Sequence, residues 1–271
     1  MTTIRAALHN HCTLCDGRNT AREMADAAIA AGFTDFGFSS HGHTPFDLSY
    51  ALENNAAYRA EIRALQKEYE GRIRLYCGLE QDYYGPDEAR DEYDYIIGSV
   101  HYIRDEATGR YYEIDGKPET IELCRDEAFG GDIRRMVEAY FESVALNCEK
   151  MRPDVVGHID VIGRNNAGGR FFDENAAWYL DCAFAAIERI VKTGTIFELN
   201  SNGWAKRGMC YPAPVLLKKI RELGGRVTIN ADAHSVGNIT LYFDKALEIL
   251  KETGFEEIWV WNRGMFVPQS L

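Results

Sequence analysis

Residues 4–17 read IRAALHNHCTLCDG: a short apolar run, two histidines one residue apart, then a cysteine-containing turn ending in Asp16 and Gly17. Ile4–Leu8 has the length and character of a buried strand. On extended chain, His9 and His11 project to the same side, as two ligands of one metal ion must. The next apolar run repeats the arrangement. In DFGFSSHGH (35–43), the strand candidate Asp35–Ser39 is followed by His41 and His43.

Further strand candidates follow at Ile73–Leu79, Tyr95–Val100, Val155–Ile159, Thr195–Leu199, Arg226–Asn230 and Glu257–Trp261. Amphipathic stretches alternate with them, at Thr20–Ala31, Glu53–Tyr69, Asp132–Met151, Glu174–Lys192, Ala213–Leu223 and Ile239–Thr253. Thr20 with Glu23 three residues on is a capping-box pattern, and Gly32 ends that helix. Repeated strand–helix units with no break in composition predict one α/β domain over residues 1–271, built on a parallel sheet, and eight strands fit a barrel better than an open sheet. Tyr102–Gly131 interrupts the rhythm. It is polar, rich in Asp, Glu and Tyr, and long enough to be a lid or binding loop.

The seven histidines fall at 9, 11, 41, 43, 101, 158 and 234, all at or just after the C-terminal ends of strand candidates. Glu80, Glu198 and Asp232 occupy the same relative places. In parallel α/β folds those ends share one face, which carries the active site. Single histidines at strand ends are usually core residues, but a complete set interleaved with acids predicts a metal centre. Imidazole mixed with carboxylate suits Zn, Mn or Fe; Mg or Ca would be built from oxygen. Asp232-x-His234 repeats the His9-x-His11 geometry. Nine candidates (His9, His11, Asp16, His41, Glu80, His101, His158, Asp232 and His234) exceed the three or so protein ligands of one open catalytic ion, so two or three divalent ions are expected.

Composition narrows the partners. The chain carries 42 acidic residues against 30 Lys and Arg, a net charge of -12, which argues against a nucleic-acid binder needing a basic face. No apolar run approaches the roughly 20 residues that span a bilayer, and no secretion leader opens the sequence, so a cytoplasmic location is expected. Seven scattered cysteines read as reduced thiols, the Cys12-x-x-Cys15 pair included. There is no G-x-S-x-G elbow and no phosphate-cradling glycine loop.

The ordered blocks H-N-H, C-D-G, F-S-S-H, G-L-E-Q-D-Y, G-S-V-H, G-H-I-D, E-L-N-S-N-G and D-A-H, from His9 to His234, resemble the polymerase and histidinol phosphatase (PHP) superfamily. Within it the chain looks most similar to the free-standing histidinol-phosphate phosphatases, through FSSHGHTPFD (38–47), GLEQDYY (78–84) and FGGDI (129–133). The resemblance implies a distorted (β/α)7 TIM-like barrel with a trinuclear centre at its C-terminal mouth. His9, His11, Glu80 and Asp232 would hold the first ion. Glu80 would bridge to a second at His101 and His158, and Asp16, His41 and His234 would hold a third. Asp16 stands where several superfamily members have His.

The resemblance also implies phosphate binding by Arg164 and Arg207, and hydrolysis of L-histidinol phosphate, a small phosphomonoester, late in histidine biosynthesis. A metal-bridging hydroxide would attack phosphorus in line. Asp232 or His234, with His43 as an outside candidate among the substrate-facing residues, would protonate the leaving oxygen. Asp105, Glu113 and Asp115 of the excursion would meet the substrate's ammonium, and Tyr111 or Tyr112 its imidazole. Three divalent ions would outweigh the three acidic ligands, so the pocket would attract a dianion despite the acidic chain. Two competing readings are a PHP-type nuclease or nucleotide phosphatase using the same ions, and a non-catalytic metal-binding module.

Overall fold

In a computed structural model of the chain, which describes residues 3–271, the apolar runs become short parallel strands. They are β1 (Ala6–Ala7), β2 (Asp35–Phe38), β3 (Arg74–Asp82), β4 (Tyr95–Ser99), β7 (Val155–Val156), β8 (Ile196–Asn200) and β9 (Val227–Asn230). They pair in the order β1-β2-β3-β4-β7-β8-β9, every pair parallel. The ring is completed beyond the strand ends. His11 N donates to Ala233 O at 2.9 Å, Ala233 N to His9 O at 3.1 Å, and Leu8 N to the Asn230 side chain at 2.8 Å. The segments that close the barrel are therefore the two that carry His9, His11, Asp232 and His234.

The helices α1 (Ala21–Ala30), α2 (Asn55–Glu68), α4 (Ile133–Met151), α5 (Ala177–Thr193), α7 (Pro214–Glu222) and α8 (Phe243–Glu252) lie within the predicted stretches or extend one by a residue. At α1 the capping box forms, Thr20 accepting from Glu23 N while Glu23 accepts from Thr20 N. The excursion at 102–131 is ordered: a hairpin of β5 (Tyr102–Arg104) and β6 (Tyr111–Glu113), then α3 (Pro118–Phe129). A short α6 (Gly203–Arg207) follows β8.

The expected eighth barrel strand is not one. Glu257–Trp261 lies in β10 (Glu257–Asn262), which pairs antiparallel with β11 (Met265–Ser270) and stays outside the seven-stranded sheet. An apolar run cannot itself say which partner it will take. Here Trp261 packs with Ala6, Leu8, Tyr76, Tyr95 and Ile97 in a buried cluster distinct from the main core, so the hairpin covers strand-borne side chains. Tyr95 fills the space beside them, donating to Leu8 O and to Phe38 O at 3.1 Å. A Cβ at Gly37 or Gly78 would collide with the Tyr95 ring, which explains glycine on two neighbouring strands. No helix among the described residues is long and apolar enough to cross a membrane.

Candidate metal centre and substrate cavity

Glu80, near the end of β3, stands at the middle of the site. Its Oε2 lies 2.9 Å from His41 Nδ1, 3.1 Å from His9 Nε2 and 3.5 Å from His11 Nε2. Its Oε1 lies 3.1 Å from His158 Nε2 and 3.4 Å from His101 Nε2. The two oxygens face different histidine sets, as a bridging carboxylate requires. Asp232 Oδ1 approaches His11 Nε2 at 3.1 Å and His9 Nε2 at 3.5 Å. Asp16 lies 3.2 Å from His234 and 3.7 Å from His41.

These atoms do not satisfy one another. His9 Nε2, His11 Nε2, His41 Nδ1, Glu80 Oε2 and Asp232 Oδ1 are buried without a hydrogen-bond partner, although they lie together. Buried polar atoms are otherwise almost always paired. Lone pairs converging from imidazole and carboxylate fit divalent cations. All nine predicted ligands fall into four overlapping groups whose ligand atoms lie within 4.8 Å of one another. The grouping is more interleaved than the expected partition: His11 joins Asp16, His41 and His234, while His158 joins His9 and Asp232.

Charge follows the same geometry. Burial alone would raise the Glu80 carboxyl, but the His9, His41 and His101 rings hold it well below its ordinary range. Asp232 is likewise held low against burial by His9 and His11. Burial lowers His11 to about 3, with His234 and His41 adding to the shift. For His234 burial is outweighed by Asp16 and Asp232, which raise it to about 9. Asp232 also sits at φ 48°, a left-handed backbone uncommon for a non-glycine residue and typical of strained functional positions.

Carboxylates the sequence reading did not count as partners orient the rings. Glu198 Oε1 accepts from His9 Nδ1 at 2.7 Å, which leaves the Nε2 lone pair facing Glu80. Asp82 accepts from His101 N at 2.8 Å and lies 3.2 Å from its Nδ1. Ser99 Oγ donates to Glu80 Oε1 at 2.6 Å. Glu198 was visible as an acid at a strand end, but only the fold shows that it faces a ring instead of the mouth.

Beside the cluster lies a cavity of about 370 Å³ walled by Asp16, His41, His101, His158, Asp232 and His234 and by residues of the hairpin and following loops. Arg164 lines it, paired with Asp115 at 2.8 Å. Arg207 does not. Its side chain is buried between Asp160 at 2.6 Å and Glu174 at 3.0 Å and also donates to Cys210 O, so the expectation of a free phosphate clamp is corrected. His43 is also away from the wall, with Nδ1 3.0 Å from Leu52 O. Two unpredicted cations, Arg18 and Lys206, do line it. Their signal was position: Arg18 is two residues after Asp16, and Lys206 follows the N-S-N-G block.

On the hairpin side, Glu113 and Asp115 line the cavity as expected, together with Tyr50 and Tyr102. Asp105 does not, being held in its own turn by Thr108 and Ala107 N. Tyr111 stacks on Phe46 at 3.7 Å, and Tyr112 donates to Glu127, so neither reaches the cavity. Burial, then Asp115 and Asp47, raises the Glu113 carboxyl. The seven cysteines are free; burial pushes Cys15 up to about 12, unlike a reactive thiol.

A seven-stranded α/β barrel with clustered His, Asp and Glu at its C-terminal mouth defines a metal-binding hydrolase of the TIM-like kind. The sequence matches the PHP domain over residues 7–202, and the chain belongs to that family. It is 28% identical over 270 residues to a Deinococcus radiodurans protein named probable histidinol-phosphatase, covering 95% of this chain and 96% of that one. It is 25% identical to the histidinol-phosphatase of Bacillus subtilis, over 89% of this chain and 97% of that one. Its fold is that of the Lactococcus lactis histidinol phosphate phosphatase solved with zinc, L-histidinol and phosphate. The TM-score is 0.71 at 23% identity, covering 98% of this chain and 100% of the other.

Proposed function

We propose that this chain is a metal-dependent histidinol-phosphatase, hydrolysing L-histidinol phosphate to L-histidinol and phosphate in histidine biosynthesis. The observation that carries this is the cavity itself. It joins a multi-histidine cluster to the cations Arg18, Arg164 and Lys206 and, on the hairpin side, to the carboxylate Glu113, Asp115 being paired with Arg164. A phosphate dianion suits the first part, and a cationic leaving alcohol suits the second. The identity to named histidinol-phosphatases over nearly the full chain supports the same reading. The nuclease reading is weaker, because the chain carries a net charge of -12 and a nuclease's substrate is a polyanion.

The residues assigned to metal are His9, His11, Asp16, His41, Glu80, His101, His158, Asp232 and His234, holding two or three ions, with zinc favoured over Mn or Fe by the Lactococcus lactis relative. Bound there, divalent ions supply Lewis acidity and an activated water. Glu80 links the ligand sets through its two oxygens. Arg164, Arg18 and Lys206 neutralise phosphoryl charge as it builds at the equatorial oxygens. Asp232 or His234, both lining the cavity, would hand a proton to the leaving oxygen. The whole chain acts as one cytoplasmic catalytic domain, the 102–131 segment forming a wall of its pocket.

The test is phosphate release by metal-replete protein from L-histidinol phosphate, p-nitrophenyl phosphate and a panel of nucleotides. A kcat/KM for histidinol phosphate well above all others is expected. Equal or faster turnover of nucleotides would overturn the assignment.

A further inference from the structure

Tyr211 belongs to none of the groups above, and its surroundings leave its hydroxyl nothing to do inside the protein. The residue is 3% exposed and lines the cavity, and its Oη is buried without a hydrogen-bond partner. Its backbone is fully engaged, Tyr211 N donating to Asn200 O at 3.1 Å and Asn200 N to Tyr211 O at 2.7 Å. The ring cannot swing away to find a partner. Its neighbours include the edge-on ring of His158, centroids 6.3 Å apart, and the Arg207 guanidinium, 4.5 Å from the ring centre. Arg207 is itself locked by Asp160 and Glu174.

A buried hydroxyl without a partner is costly and rare, and one that borders a substrate cavity is ready for a ligand atom. A tyrosine hydroxyl keeps its proton at any ordinary working pH, so Tyr211 is a donor and not a base. Its surroundings include His158 of the ligand cluster and the cation Arg164, which pairs with Asp115. A donor beside the histidine cluster faces the part of the pocket that would take an anion. Tyr179 has an equally orphaned hydroxyl but does not border the cavity; Tyr50 borders it, but beside Tyr102 of the hairpin.

We propose that the Tyr211 hydroxyl donates a hydrogen bond to a non-bridging phosphoryl oxygen of the bound ester, and that Arg207 is a positioning residue that acts through the Tyr211 ring. This rests on the phosphomonoesterase reading above. Arg207 then influences phosphate binding without touching it, its planar guanidinium setting the ring against His158. A donor to a charged oxygen makes a stronger bond than one to a neutral acceptor, and its loss is felt for every ester sharing the phosphate.

The experiment uses metal-replete protein and Tyr211→Phe, which keeps the ring and removes only the hydroxyl. Binding of inorganic phosphate is measured by calorimetry, and kcat/KM by phosphate release from histidinol phosphate and p-nitrophenyl phosphate. The proposal expects phosphate affinity and both kcat/KM values to fall about ten- to a hundredfold together, with bound metal and Tm unchanged. Unchanged phosphate affinity, a loss confined to histidinol phosphate, or a loss of bound metal would each overturn it. Arg207→Lys keeps the charge between Asp160 and Glu174 but loses the planar face. It should weaken phosphate binding several-fold in the natural background and add nothing in Tyr211→Phe; equal effects in both backgrounds would end the positioning role. Phosphate binding reads Tyr211 even if the ester panel shows another preferred substrate, so failure of the functional reading and failure of this one are separate results.

Discussion

His9 Nδ1 lies 2.7 Å from Glu198 Oε1, both side chains sealed from solvent. The carboxylate also accepts from the side chains of Asn230 at 3.0 Å and Asn200 at 3.1 Å and from His158 N at 3.2 Å, so its position is fixed before any ligand arrives. It thereby fixes the His9 tautomer and aims Nε2 at Glu80. Such outer partners matter to metal affinity by about ten- to a hundredfold. Glu198→Gln should therefore lower metal affinity by that order while every direct ligand is retained. Competition with a chelator of known affinity measures it; wild-type affinity in the variant would reduce Glu198 to a packing role.

Glu80 carries a different kind of load. Because its two oxygens face different histidine sets, Glu80→Gln keeps the shape but removes the charge shared between them. Bound metal, counted by elemental analysis, should drop by more than one equivalent, and turnover should collapse. A variant with full metal content and normal rate would end the bridging assignment.

The ligand set was legible in the sequence because barrel topology puts all strand C-termini on one face, so position along the chain nearly determines position in the site. That logic weakens with distance from the strand ends, where a loop's direction decides. Arg164 and Arg207 are both arginines after the metal blocks, yet one turns to the cavity and the other into a buried cage with Asp160. His43, two residues after His41, turns toward Leu52 O. The β10–β11 hairpin was unreadable for a related reason: Glu257–Trp261 is apolar enough for a barrel strand, and only the prior closure through His11 and Ala233 leaves it no slot.

The two arginines should accordingly separate by experiment. Arg164→Ala should weaken all phosphomonoesters alike, with little change in Tm, because Arg164 is partly exposed at the cavity. Arg207→Ala leaves Asp160 and Glu174 without their cation, and an uncompensated buried charge costs about 3–5 kcal/mol. For a chain of this size that is a fall in Tm on the order of 10 °C. Calorimetric scans of both variants check this, and a Tm loss in Arg164→Ala larger than in Arg207→Ala would contradict the placement.

The pH dependence of stability should reverse with metal. In metal-free protein His234 is raised to about 9, burial being outweighed by Asp16 and Asp232, against about 6.5 unfolded. A raised histidine contributes stability that is complete below the unfolded value and is lost as pH climbs through the folded one. His11, lowered to about 3 by burial, His234 and His41, works in the opposite sense only below about 6.5. The window for the His234 effect is thus about pH 6.5 to 9. Metal-loaded protein instead gains over that range, since protons no longer compete for the ligands. The difference in Tm between loaded and chelated protein should widen steadily from pH 6.5 to 9; a constant or narrowing difference would mean these ligands do not couple metal to folding.

Substrate choice should turn on Glu113. The β5–β6 hairpin is pinned by Tyr102, which donates to Asp47 at 2.8 Å, and by Tyr111 stacked on Phe46. Deleting it would unpack the neighbouring loop, so a point substitution is the sharper probe. Asp115 is committed to Arg164, whereas Glu113 has no cation of its own and packs where a Cβ at Gly116 would collide with its carboxylate. A cationic leaving alcohol supplies the missing partner, and an ammonium deprived of a buried acid costs on the order of 2–5 kcal/mol. Glu113→Gln should therefore lower kcat/KM for histidinol phosphate by at least tenfold while leaving p-nitrophenyl phosphate, which has no cation to lose, nearly untouched. The ratio of the two values, in wild type and variant, isolates this wall from the phosphate end. An unchanged ratio would remove Glu113 from substrate recognition and leave the hairpin as structure alone.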